Sequence, residues 1–148
     1  MTPQKEQVSI LDANNLILGR TASIVAKRLL KGERITILNA EKAVVSGRRL
    51  SIVKQAKEKL EIGHPRKGPF FPRRPDRYVK RTIRGMLPRQ KNKGKEAYKR
   101  LRVFVGIPSS YNEKNLETIR EARAEKLKCP YITVADLVKE IGWSQTGE

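Results

Sequence analysis

An α/β fold, built on a parallel sheet whose faces are covered by helices, is what the sequence predicts. Two observations carry this. Short β-type runs take turns with helically spaced segments, and the runs are almost continuously apolar, as strands buried on both faces are. The first run is Val8-Ser-Ile-Leu-Asp12. After it, Leu18, Ala22, Val25 and Leu29 recur at helical spacing, and Gly32 offers a C-terminal stop. Arg34-Ile-Thr-Ile-Leu-Asn39 is rich in β-branched residues and predicts a second strand. Val44-Val45 is apolar again, and Ser46 is a good N-cap for a helix that runs to about Ile62 and ends at Gly63. Val103-Phe-Val105 predicts a further strand. Thr133 with Asp136 resembles a capping box, opening a helix whose Val134, Leu137, Val138 and Ile141 face one side before Gly142 closes it. The highly charged stretch from Leu116 to Leu127 predicts a solvated helix.

At 148 residues and 16.9 kDa the chain suits one core, so a single α/β domain over 1–148 is expected. Leu, Ile, Val and Phe together number 38, above the level of disordered chains. The longest charge-free stretch between Arg102 and Glu113 has only 10 residues, far below the ~18 apolar residues of a membrane span. Residues 1–7 are polar and lack a secretory pattern, which points to the cytosol. Cys129 has no partner for an intrachain disulfide and is expected as a small buried residue. One Cys and one His, His64, cannot build a zinc cluster, so no metal and no cofactor are expected.

Charge is the unusual quantity. The net charge is +18 and the sequence pI about 10.5, a surface that repels itself until it meets a polyanion. Residues 63–102 hold 15 Lys and Arg against Asp76 and Glu96, so 13 of the 18 net positive charges lie in 40 residues. Five of the eight prolines, at 65, 69, 72, 75 and 88, fall there as well. Proline fixes φ and removes a donor, so the first part of this segment cannot be regular helix or sheet, and the whole is expected as an extended basic insert that orders against RNA. Its candidate RNA ligands are Arg66, Lys67, Arg73, Arg74, Arg77, Lys80, Arg81, Arg84, Arg89, Lys91, Lys93 and Lys95. Arg dominates the early part, which suits forked contacts to phosphate and stacking on bases. Phe70 and Phe71, flanked by Pro69 and Pro72, either stack on unpaired bases or pack the insert onto the body, whereas Tyr98 is read as packing. Val79 and Ile83, with Met86 or Leu87, keep helical spacing before Pro88, and Lys80, Arg81 and Arg84 lie on other faces of that short helix. A second short helix is expected over Lys95 to Leu101, with Ala97 and Leu101 inward and Lys99 and Arg100 outward.

No P-loop and no dinucleotide fingerprint is present. Asp12, Asn14, Asn39 and Glu41 follow two strands where open α/β sheets bind ligands, and they alone suggest an enzyme. Asp and Asn are ordinary turn residues there, and no nucleophile or histidine lies nearby in sequence.

Several segments together resemble a known family. They are Ile17-Leu-Gly-Arg-Thr-Ala-Ser23, Asn39-Ala-Glu-Lys42 with Val45-Ser-Gly47, Arg81-Thr-Ile-Arg-Gly-Met-Leu-Pro88, Gly94-Lys95 and Leu101-Arg-Val-Phe-Val-Gly106. From about residue 8 to 111 the chain closely resembles the universal large-subunit ribosomal protein family L-thirteen. Gly68-Pro-Phe-Phe-Pro72 and Gly106-Ile-Pro108 resemble its archaeal and eukaryotic branch. The resemblance implies a three-layer α/β/α core with a four-stranded, mainly parallel sheet and no catalytic activity. It further implies no small-molecule substrate, and binding to large-subunit ribosomal RNA beside neighbouring ribosomal proteins, in assembly and in the finished cytoplasmic ribosome. The tail from Asn112 onward departs from the pattern, and no function is carried onto it.

Overall fold

Strand β1 (Val8–Asp12), helix α1 (Leu18–Leu30) and strand β2 (Arg34–Leu38) form a βαβ unit, in which β1 and β2 pair in parallel with Val8 opposite Arg34 and Asp12 opposite Leu38. This and all that follows is taken from a computed structural model, which describes residues 8–111 and 116–145; the polar N-terminal 1–7 lie outside them. Parallel pairing needs a crossover, and α1 supplies it. Strand β4 (Leu101–Val103) adds in parallel to β2, and the two-residue β5 (Leu116–Glu117) adds to β1, giving the sheet order β4-β2-β1-β5. The class is therefore α/β with a four-stranded parallel sheet, as expected. A separate antiparallel pair joins β3 (Val44–Ser46) to β6 (Tyr131–Thr133).

Register places like with like. Ile35 lies opposite Leu101 and Leu11 opposite Ile37, and all four are essentially fully buried. Val25 and Leu29 of α1 meet them in the core, and each such Leu or Ile contributes roughly 1.5–3 kcal/mol on leaving water. Helix α1 has no side-chain N-cap at Ile17, so its stability comes from this buried stripe. Helix α5 (Val134–Glu140) does have one: the Asp136 amide donates to Thr133 Oγ1 at 3.3 Å, and that hydroxyl donates to Asp136 Oδ2 at 2.9 Å, so the expected pair forms the cap through the hydroxyl.

The basic segment is not an extended insert throughout. Residues 62–74 are irregular, and the two short helices expected after them form as α3 (Pro75–Gly85) and α4 (Asn92–Lys99), each starting three residues earlier than read and packed on the core instead of standing away from it. Val79, Ile83, Leu87 and Ala97 are buried there, and a helix with an apolar side rests on its own domain without any partner. Other differences are local. Helix α2 (Arg49–Glu61) opens at Arg48, because Ser46 is taken by its pairing with Tyr131 in β6. Leu101 begins β4 instead of ending a helix, and Arg100 does not point outward but donates from Nη2 to the Leu29 carbonyl at 2.7 Å. The stretch from Leu116 is no helix: β5 is followed by 3-10 turns at Arg120–Ala122 and Ala124–Lys126, in which Ala122 and Ala124 are buried. Cys129 is exposed, one residue before Pro130 at the entry to β6.

Candidate nucleic-acid interface

Helix α3 begins with Pro75 at its first position, where φ is already suitable and no amide is lost, and Asp76 complements the N-terminal dipole. It ends at Gly85, and Pro88 prevents its continuation. Its two sides have opposite chemistry. Val79 and Ile83 are buried against the core, while Arg77, Lys80, Arg81 and Arg84, at spacing i, i+3, i+4 and i+7, form a stripe on the other side. Of Met86 and Leu87, the alternative apolar positions closing this helix, Leu87 is buried and Met86 is exposed.

The other predicted ligands flank this stripe. Arg66 and Lys67 are exposed on a turn closed by reciprocal bonds, His64 N to Gly68 O at 3.1 Å and Gly68 N to His64 O at 2.9 Å. A Cβ at Gly63, whose φ is +105°, would overlap the Gly68 carbonyl, so the turn seats itself against a residue without a side chain. Arg73 and Arg74 are exposed at the entry to α3. Arg89 and Lys91 lie in the turn after it, and Lys93 and Lys95 are exposed on α4. That corner is tight, because a Cβ at Gly94 would overlap the Pro88 carbonyl.

Three cations elsewhere have carboxylate partners. Arg28 bonds Glu33 at 2.7 Å, Glu117 at 3.0 Å and Ser9 Oγ at 2.7 Å. Burial works to lower its pKa, but the two carboxylates outweigh burial and hold it above the ordinary guanidinium value. Arg49 bonds Glu140 at 2.7 Å, and Lys54 lies 3.9 Å from Glu58. Among the described residues, only one of the twelve predicted ligands has such a carboxylate: Arg74, 3.2 Å from Asp76. Arg81 donates to the Phe70 carbonyl at 3.2 Å and lies 3.9 Å from the Phe71 ring centroid, and Lys80 Nζ lies 5.0 Å from that of Tyr98. These contacts fix the side chains without neutralising them. Tyr98 also packs on the core, as read from the sequence.

The residues that suggested an enzyme are engaged in holding loops. Asp12 Oδ1 accepts from the Asn14 amide at 3.0 Å and from Asn39 Nδ2 at 2.9 Å, and Glu41 accepts from the Gly106 amide at 3.0 Å. Asn39 has φ of 55°, a left-handed position that Asn tolerates. These groups tie the ends of β1 and β2 to the chain leaving β4.

Comparison with known proteins decides the family. The model of the family described as ribosomal protein L13 matches residues 6–110. The chain belongs to the ribosomal protein L13 family. The large ribosomal subunit protein uL13 of Methanopyrus kandleri is 44% identical over 145 residues, covering 96% of this chain and 91% of that protein. Its counterpart in Methanocaldococcus jannaschii is 49% identical over 140 residues, covering 91% of this chain and 98% of that protein. That of Archaeoglobus fulgidus is 44% identical over 140 residues. An L13 protein is a structural component of the large ribosomal subunit and not an enzyme. Among the described residues no helix is long and apolar enough to cross a membrane, and no cluster of His, Cys, Asp and Glu is arranged to hold a metal.

A basic depression that sequence reasoning missed lies apart from the α3 stripe. Arg34, Lys99, Arg100 and Arg102 line a hollow of about 370 Å³ together with Val8, Thr36 and Tyr111. The run from Lys99 to Arg102 was visible in the charge arithmetic. Its meeting with Arg34 depends on the parallel pairing of β2 with β4, in which Ile35 lies opposite Leu101.

Proposed function

We propose that this L13 chain binds large-subunit ribosomal RNA through the basic residues of 63–102, and so supports assembly of the subunit and its finished structure. Arg66, Lys67, Arg73, Arg74, Arg77, Lys80, Arg81, Arg84, Arg89, Lys91, Lys93 and Lys95 are the ligands we assign. The observation that carries the reading is α3, a helix anchored by Val79 and Ile83 whose opposite stripe of cations has no carboxylate among the described residues. Like charges three and four residues apart on a helix are destabilising by roughly 0.2–0.5 kcal/mol per pair, so the stripe costs the isolated fold energy and gains it back beside phosphates. The α/β body, acting as one domain, holds these charges at fixed spacing, and the irregular residues 62–74 supply adaptable contacts. Neighbouring ribosomal proteins complete the partners.

Filter binding of the full chain to large-subunit RNA fragments, with duplex DNA as competitor at several salt concentrations, tests this. We expect preference for the ribosomal fragments at moderate salt and co-sedimentation of the native protein with the large subunit. Equal affinity for any duplex would instead describe a general polyanion binder and overturn the proposal.

A further inference from the structure

The sequence leaves Phe70 and Phe71 as a pair with two possible uses, and the fold separates them. Phe71 is partly buried, with the Arg81 guanidinium 3.9 Å from its centroid and Lys59 Nζ at 5.7 Å on α2. It wedges the irregular segment between α2 and α3. Phe70 lies beside Gly68, its ring meets no cation among the described residues and it is 68% exposed, with its backbone pinned by the bond from Arg81 to its carbonyl. Beside it opens a cleft of about 390 Å³, within the ~300–1,000 Å³ usual for sites that enclose small ligands. Tyr98 and Val103 contribute apolar surface, and Arg77, Lys80 and Arg84 bring positive charge to the same lining. The lining's one acid, Asp76, is offset by Arg74 at 3.2 Å.

We infer that this cleft receives a single unpaired nucleotide of the ribosomal RNA, its base stacked on Phe70 and its phosphates held by Arg77, Lys80 and Arg84. The inference rests on the RNA-binding reading above and deepens it by naming the form of RNA this part of the surface selects. An exposed ring on a pinned backbone loses little entropy when a base lies on it, and each base has a π-face to offer. A paired base cannot enter, since its faces are covered within the helix. Phosphate contacts alone would leave a 68% exposed phenyl ring in water, and a free apolar ligand would leave three cations unused.

The test uses the full chain with Phe70→Ala and Phe70→Trp, and three probes: a short single-stranded RNA, the same RNA as a blunt duplex, and a ribosomal fragment containing an unpaired loop. Base stacking on an aromatic ring is worth enough that Phe70→Ala is expected to weaken binding of the single strand and the looped fragment about tenfold. The duplex should bind as before, Phe70→Trp should restore affinity, and the salt slope should stay unchanged because no cation is lost. Phe70 is exposed, so thermal unfolding should confirm that both variants retain the fold. Wild-type affinity for the single strand in Phe70→Ala, or an equal loss on the blunt duplex, would overturn the cleft. A wild-type chain that does not distinguish ribosomal RNA from duplex DNA sinks the reading in the preceding section, whereas a silent Phe70→Ala sinks the cleft alone.

Discussion

Helices α2 and α3 flank the same irregular segment and both are rich in Lys and Arg, yet they use them in opposite ways. In α2 no residue is fully buried, Leu50 is 86% exposed, and Arg49 and Lys54 lie beside carboxylates on α5 and on the helix itself. In α3 the apolar side is driven into the core, and among the described residues no carboxylate pairs with its stripe of four cations, of which Lys80 and Arg81 meet rings and a carbonyl. The lesson is that positive charge by itself does not mark the interface. A charged helix that is held loosely and pairs part of its charge is a solvated surface, whereas a rigidly anchored helix with an unpaired stripe is built for something outside the molecule.

That contrast can be broken most decisively in the core. Ile83→Ala should cost about 2–5 kcal/mol in urea unfolding, since it empties a fully buried site, while Leu50→Ala should stay within about 0.5 kcal/mol. Equal losses would mean that α2 is as firmly held as α3. Gly94→Ala comes next: the new methyl would overlap the Pro88 carbonyl, and we expect roughly 1–3 kcal/mol of destabilisation as the α3–α4 corner shifts. A smaller effect is expected at alkaline pH. Burial on α3 raises the pKa of the Tyr78 phenol above its ordinary value. The unfolded phenol therefore loses its proton first as pH rises through about 10, and folding stability falls from there upward. Tyr78→Phe should be less sensitive than wild type above about pH 10, and an unchanged alkaline profile would show that the phenol is not buried in solution. Smallest of all is Arg49→Gln, which removes an exposed pair with Glu140 and should leave the melting temperature unchanged at moderate salt.

Much of the fold was legible because its signals are local. The spacing of Leu18, Ala22, Val25 and Leu29 announced α1, and Thr133 with Asp136 announced α5. The charge of residues 63–102 was equally plain, and the spacing of Val79 and Ile83 announced its first helix. Proline content still suggested an extended arm, whereas Pro75 sits where that helix starts, and Val79, Ile83 and Leu87 find a core that only the folded sheet provides. The charged stretch after Leu116 misled for the converse reason. Its cations and acids suggested a helix, but pairing of Leu116 with Ile10 and burial of Ala122 and Ala124 decide its path. Which of two adjacent phenylalanines stays exposed depends on Arg81 lying over Phe71, a contact eleven residues from the backbone it pins at Phe70.

The most direct measurement compares two matched triple variants of the full chain, Arg77, Lys80 and Arg84→Gln on α3 against Arg49, Lys54 and Lys57→Gln on α2. Both remove three positive charges, so each lowers the net charge equally. Affinity for a large-subunit RNA fragment is then followed as a function of salt. Each phosphate contact contributes about 0.7–0.9 to the slope of log K against log salt, so the α3 variant should lose about 2 to 3 from that slope and the α2 variant almost nothing. Equal slopes in the two variants, or a larger loss from α2, would contradict the account.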